Sequence, residues 1–157
     1  MSILLGIINS VNGVVMKLII EKCDILEQFY LLSAQLGMNL QAPELIASVA
    51  DDEERLEPLW RAAAVELAHT LAPYCTYTVS EKGAEYSLEL PDNWKSELSS
   101  ALRECCSNFL LNSLMVQWLY VVNPERAGIY KSMNVECSLA IVEILTKRRK
   151  PSGSSDM

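Results

Sequence analysis

The sequence has a single histidine, His69, and no C-x-x-C pair among its five cysteines. That removes the usual His/Cys zinc patterns and the dithiol redox motif. A glycine-rich phosphate loop, a G-x-S-x-G turn and an H-E-x-x-H helix are all missing. The spacings that announce nucleotide binding, serine hydrolysis or zinc proteolysis are therefore absent. Basic residues are in short supply, 13 Lys and Arg against 20 Asp and Glu, for a net charge of −7. General nucleic-acid binding, which needs a basic face, is not expected. Long apolar runs are lacking too. Asn9, Ser10, Asn12 and Gly13 interrupt residues 1–15, and Asn112, Ser113 and Gln117 interrupt residues 109–122, so neither stretch reads as a membrane span. Residues 1–15 also carry no Lys or Arg, which a secretory signal would need. Whether translation naturally starts at Met1 or Met16 stays open.

What is present is half apolar, enough for a sizeable core in one domain. The expected organisation is an N-terminal segment of uncertain role (1–15), a single helical domain (16–150) and a small polar tail, disordered, at 151–157. The five cysteines read as reduced and mostly buried, as in a cytosolic protein.

Residues 92–150 organise the chain. Asp92 reads as an N-cap after Leu90-Pro91, and Trp94, Leu98, Leu102, Cys105 and Phe109 follow at helical spacing. From Phe109 to Val122 the apolar surface widens to nearly every face, the mark of a helix buried on several sides. Asn123-Pro124 makes a sharp corner, a capping residue before a proline suited to the first helical position. The second helix carries Tyr130, Met133, Cys137, Ala140, Ile141, Ile144 and Leu145 on one side. Lys147, Arg148, Arg149 and Lys150 suit the negative end of this helix, and Pro151 stops it.

Earlier in the chain, residues 17–22 read as a short strand or the first turns of a helix; the β-branched pair favours the strand. Asp24 reads as the cap of a helix over 25–36, with Gly37 as its C′ residue. Residues 38–43 read as a loop, and 44–49 as either strand or helical turn. Asp51 begins the next helix, with Glu54 completing an approximate capping box. Pro58 predicts a kink or restart there. Leu59, Ala63, Leu67 and Leu71 form its stripe, and Pro73 ends it. Residues 76–80 and 85–90 alternate strictly around Glu81-Lys82-Gly83-Ala84, which predicts a β-hairpin with Tyr77, Val79, Tyr86, Leu88 and Leu90 on its inner face. A lone hairpin is marginal, so it must rest on the helices or pair with another strand, residues 17–22 being the candidate. The fold class is mainly α: a helical bundle with two long C-terminal helices and one β-hairpin, an extra short N-terminal strand being open.

No catalytic, cofactor or metal residue stands out. His69 with Glu66 three residues earlier could form an acid/base pair, but no nucleophile lies at a defined spacing. Asp51 to Glu54 lacks the loop glycine and alternating ligands of a calcium loop. Large aromatics are numerous for one small core, and such a surplus marks protein interfaces. The candidate interface residues are Trp60, Tyr77, Val79, Tyr86, Trp94, Trp118 and Tyr120. Asn112, Ser113 and Gln117 inside an apolar stretch could instead line a small ligand pocket between the two long helices.

The order of elements (acidic-capped helix, hairpin, Leu90-Pro91-Asp92-Asn93-Trp94 opening a long helix, then a Pro-started helix ending in Lys-Arg-Arg-Lys-Pro) resembles small virion-morphogenesis proteins of Bacteroides-type prophages. It is also similar in outline to the head–tail connector (adaptor) class of tailed phages, helical proteins with a hairpin or extended arm that form rings under the portal. The resemblance covers residues 51–151 and rests on the pattern of elements, with no residue role to transfer. It implies a non-enzymatic virion subunit, assembled in the bacterial cytoplasm. Such a subunit would act by self-association into a ring or other oligomer and by docking on portal or tail components, with no cofactor, nucleic acid or membrane as partner.

Overall fold

The computed structural model describes residues 3–10 (backbone only), 13–48 and 52–148. Two strands open the chain, β1 (Ile3–Ser10) and β2 (Gly13–Glu21). Helices α1 (Lys22–Asn39), α2 (Pro43–Ile46) and α3 (Glu53–Leu71) follow. Strands β3 (Cys75–Val79) and β4 (Gly83–Leu90) come next, then a 3-10 turn (Ser96–Leu98) and the long helices α4 (Ser99–Leu119) and α5 (Pro124–Thr146). The fold is mainly α, with all four strands in one antiparallel sheet of order β1-β2-β4-β3.

The hairpin at residues 76–90 is therefore not alone. Val14, Met16, Leu18 and Ile20 of β2 stand opposite Leu90, Leu88, Tyr86 and Ala84 of β4, and all eight side chains are buried. Strict alternation puts one whole face of both strands into the core. The other face is wet, with Lys17 paired to Glu85 at 3.3 Å. A Cβ at Gly83 would collide with the Ile20 carbonyl, so β4 can start this close to β2 only at a glycine. The expected strand at residues 17–22 is thus the second half of a longer one. It runs straight into α1 at Lys22, whose N–H donates to the Lys82 carbonyl at 2.9 Å. Asp24 sits in the first turn of α1 instead of capping it.

Gly37 is inside α1, not beyond its end. A side chain there would press on the Pro43 Cα at 3.0 Å, so the glycine serves the close approach of α2. Residues 43–46, assigned by sequence partly to a loop, form the short helix α2. Asp51 lies outside the described residues, as do Arg149, Lys150 and the tail at 151–157. Pro58 neither ends nor restarts α3, which continues through it to Leu71. The core stripe of α3 is Leu56, Trp60, Ala63, Ala64, Leu67, Ala68 and Leu71. The Ala64 carbonyl accepts the Tyr86 hydroxyl at 2.7 Å, joining α3 to the sheet.

Asp92 does not cap the first long helix, and Trp94 is not in it. The Trp94 N–H closes a turn onto the Pro91 carbonyl, its backbone bridges Arg148, and its indole is buried with Nε1 donating to the Ile144 carbonyl. This long-range anchorage overrides the local helical spacing, and α4 starts only at Ser99. The corner matches its sequence: Asn123 accepts the Arg126 N–H at 3.1 Å and Pro124 opens α5. α4 is the central helix, touching α1, α3, α5 and β1, whereas α5 packs mainly on α4 and lightly on α3.

Candidate functional site

Among the described residues, five large apolar side chains lie exposed on α5. Only Ala127, Asn134, Ile141 and Leu145 are buried along it. Val135, Leu139 and Val142 are 54%, 66% and 49% exposed, and Ile129 and Met133 are also open. At its start, Tyr120 and Val121 of the corner are 71% and 83% exposed. The sequence reading placed the apolar residues of this helix on one side. In fact they run round most of its circumference, and the described residues cover only part of it.

Two hollows flank the α4–α5 pair. One, of about 350 Å³, lies toward α3 and is lined by Glu66, Ser113, Gln117, Tyr120 and Asn134, with Phe109 and Val116 among its apolar walls. The Ser113 hydroxyl donates to Glu66 at 3.0 Å and accepts from Asn134 Nδ2 at 3.3 Å. Asn134 Oδ1 is buried with no partner among the described residues. Gln117 donates to the Leu59 carbonyl at 3.2 Å. The other hollow, of about 660 Å³, faces α1 and includes Asn112, whose amide reaches Cys137 Sγ at 3.7 Å. The three polar residues expected to share one pocket are therefore divided between two, on opposite flanks of α4.

The expected interface residues separate in the same way. Trp60, Tyr86 and Trp94 are core residues, 1% exposed or less, and offer no surface. Trp118 is half-buried. It sits edge-on to Phe29 at 5.6 Å, under the Arg55 guanidinium, and donates to the Ile46 carbonyl at 2.7 Å. Val79 is half-buried on strand β3, while Tyr77, stacked on Tyr86, and Tyr120 are exposed.

His69 is exposed in the last turn of α3, and no ion pair among the described residues joins it to Glu66, whose carboxylate is held by Ser113. Lys22 has a buried ammonium that donates to Glu57 and lies 3.9 Å from Glu53. Hydrogen bonding from Lys22, and then from Arg61, holds the Glu57 carboxyl below the usual range against the opposing effect of burial.

All five cysteines are free thiols. Cys106 is buried, Cys75, Cys105 and Cys137 are half-buried, and Cys23 is exposed, against the expectation of burial. Burial pushes the Cys75 thiol up to about 11 and drives Cys106 higher still. The ligand atoms of Glu21, Cys23 and Asp24 gather within 4.8 Å of one another. This set mixes a soft thiol with hard carboxylates. The thiol is shifted upward by desolvation, then by the Asp24 charge, which disfavours the thiolate a metal would need.

Among the described residues, no helix is long and apolar enough to cross a membrane. Compared with known proteins, the chain matches no family model, and neither a curated protein nor a solved structure matches it.

Proposed function

We propose that this protein is a non-enzymatic structural subunit that works by self-association and by docking on other proteins. The resemblance in element order supplies the setting: a phage or prophage particle, where the subunit would be a head–tail connector or ring component, assembled in the bacterial cytoplasm and meeting portal or tail proteins. The observation that carries the reading is the outer face of α5. A helix apolar round most of its circumference is ordinarily covered on several sides, and contiguous exposed apolar surface marks an interaction site. Val135, Leu139 and Val142 lie open on that face, and the Tyr120-Val121 corner extends the apolar surface at its N-terminal end. Static light scattering across the micromolar range tests the reading. The expected result is a mass above one chain that rises with concentration; a monomer throughout contradicts it.

A second reading, a helical binding module for a small apolar ligand, draws on the hollow beside Ser113, Gln117 and Asn134. Its apolar walls and the unpartnered Asn134 Oδ1 have the character of a ligand site. Filling it with Val116→Trp should abolish binding of an environment-sensitive apolar dye if the hollow takes ligands. Unchanged dye binding removes this reading.

A further inference from the structure

α5 carries two stripes of the same rhythm. Ala127, Tyr130, Asn134, Cys137, Ile141 and Ile144 step along the helix by three and four residues on its inner side, all buried or half-buried. Gly128, Ser132, Val135, Leu139, Val142 and Thr146 step by four and three on a second side, and every one of them is exposed. Steps of three and four that repeat each seven residues are the spacing by which one helix packs along another. The first stripe has its partner in α4. The second, whose Gly128 and Val135 border the hollow toward α3, has no helix packed along it among the described residues, and its centre at Val135, Leu139 and Val142 is apolar and exposed.

We infer that the second stripe is the seat of a second copy of this chain, α5 lying against α5 in parallel and in register. This inference rests on the reading of the protein as a self-associating subunit and gives that association its contact. Charge selects the occupant and its direction. Lys131 and Glu136 flank the stripe on opposite sides, five positions apart, and both are exposed. In a parallel pair of helices, a flanking residue meets the residue five positions further on in its partner. Lys131 of each copy therefore meets Glu136 of the other, twice per pair, and Ser138 meets Glu143 in the same manner. Antiparallel registers instead bring Glu136 against Glu136 or Glu143 of the second copy, or leave it facing Ile129. Small residues at Gly128 and Ser132 let the helices approach closely at the N-terminal end. There Tyr120, which lines the same groove as Gly128, Lys131 and Val135, adds apolar surface from both copies.

The test uses two full-length variants, Lys131→Glu and Glu136→Lys, each folded by circular dichroism. Each alone places like charges together at both flanking contacts. The dissociation constant should rise about tenfold or more, from two exposed ion pairs turned repulsive. An equimolar mixture of the two restores opposite charges at both contacts and should recover the wild-type association by sedimentation velocity. A wild type that associates while both variants do so with unchanged affinity, or a mixture that fails to recover, overturns the α5 pairing and leaves self-association standing. A wild type that remains monomeric throughout the range overturns both.

Discussion

The Trp94 indole donates a 2.9 Å hydrogen bond to the Ile144 carbonyl, fifty residues further along the chain. It shares that acceptor with the capping Lys147 N–H, which reaches the same carbonyl at 3.2 Å, and the adjoining bridge from Trp94 to Arg148 fastens the same end. Trp94→Phe keeps much of the apolar packing but removes the donor at a buried site. A loss of about 0.5–1.5 kcal/mol in chemical denaturation is expected, the net contribution of one hydrogen bond, since Lys147 still donates to the same carbonyl. Amide exchange should quicken locally in the last turn of α5, leaving its first turns, held by Asn123, as protected as before.

A different behaviour is expected where α1 meets α3. Removing Glu57 leaves the buried Lys22 ammonium with the longer contact to Glu53, 3.9 Å away. Glu57→Gln should therefore destabilise by about 2–4 kcal/mol, since the Lys22 ammonium is almost wholly buried. Lys22→Met removes the buried charge altogether and leaves Glu57 with Arg61 at 2.9 Å. It should cost less than Glu57→Gln, and urea midpoints of the two variants would rank them.

The same pair sets an acid limb. Hydrogen bonding from Lys22 lowers the Glu57 carboxyl in the folded chain below its ordinary value of 4.5. The unfolded state therefore takes up its proton first on acidification. The contribution is fully present above pH 4.5 and is lost as pH falls through the lower, folded value. Urea midpoints recorded between neutral pH and pH 3 should fall on this limb for wild type and much less for Glu57→Gln. Equal slopes in the two proteins would remove Glu57 from the explanation.

Thiol labelling at pH 8 should separate the cysteines by access. Cys23 is exposed and reacts first. Cys106, buried and shifted strongly upward by desolvation, should react only when the chain unfolds. Rapid labelling of Cys106 in the native protein would mean that the α4 core opens far more readily than its packing implies.

Local chemistry made several elements legible from sequence. Asn123-Pro124 carries its own cap and its own φ, and Thr76 to Leu90 alternates too strictly to be anything but paired strands. Gly83 falls where the hairpin demands it. What sequence could not disclose depended on distant partners. Trp94 fits the helical spacing of Leu98 and Leu102, and only the α5 terminus and Arg148 pull it out. Asn9, Ser10 and Gly13 obscured two strands, because they look like interruptions until β1, β2 and β4 are paired. In the candidate site, Tyr77 and Tyr120 were identified by size and are exposed. Trp60, Tyr86 and Trp94 were identified by the same criterion and are core, since large aromatics fill cores and interfaces alike. The α5 stripe was visible as residues: Gly128, Ser132, Val135, Leu139 and Val142 keep step beside the inner stripe. One amphipathic side is enough to account for the helix, so the second stripe carries no signal of its own until the packing on α4 is in place.

Copies of the chain are expected to join through the open face of α5. Leu139 is 66% exposed and at the middle of that face, so Leu139→Glu should leave monomer stability within about 0.5 kcal/mol of wild type. The direct measurement is sedimentation velocity on wild type and Leu139→Glu, side by side over the micromolar range. A concentration-dependent oligomer is expected for wild type and a single monomer boundary for Leu139→Glu, with equal thermal midpoints at the lowest concentration. Identical boundaries for the two proteins would contradict it.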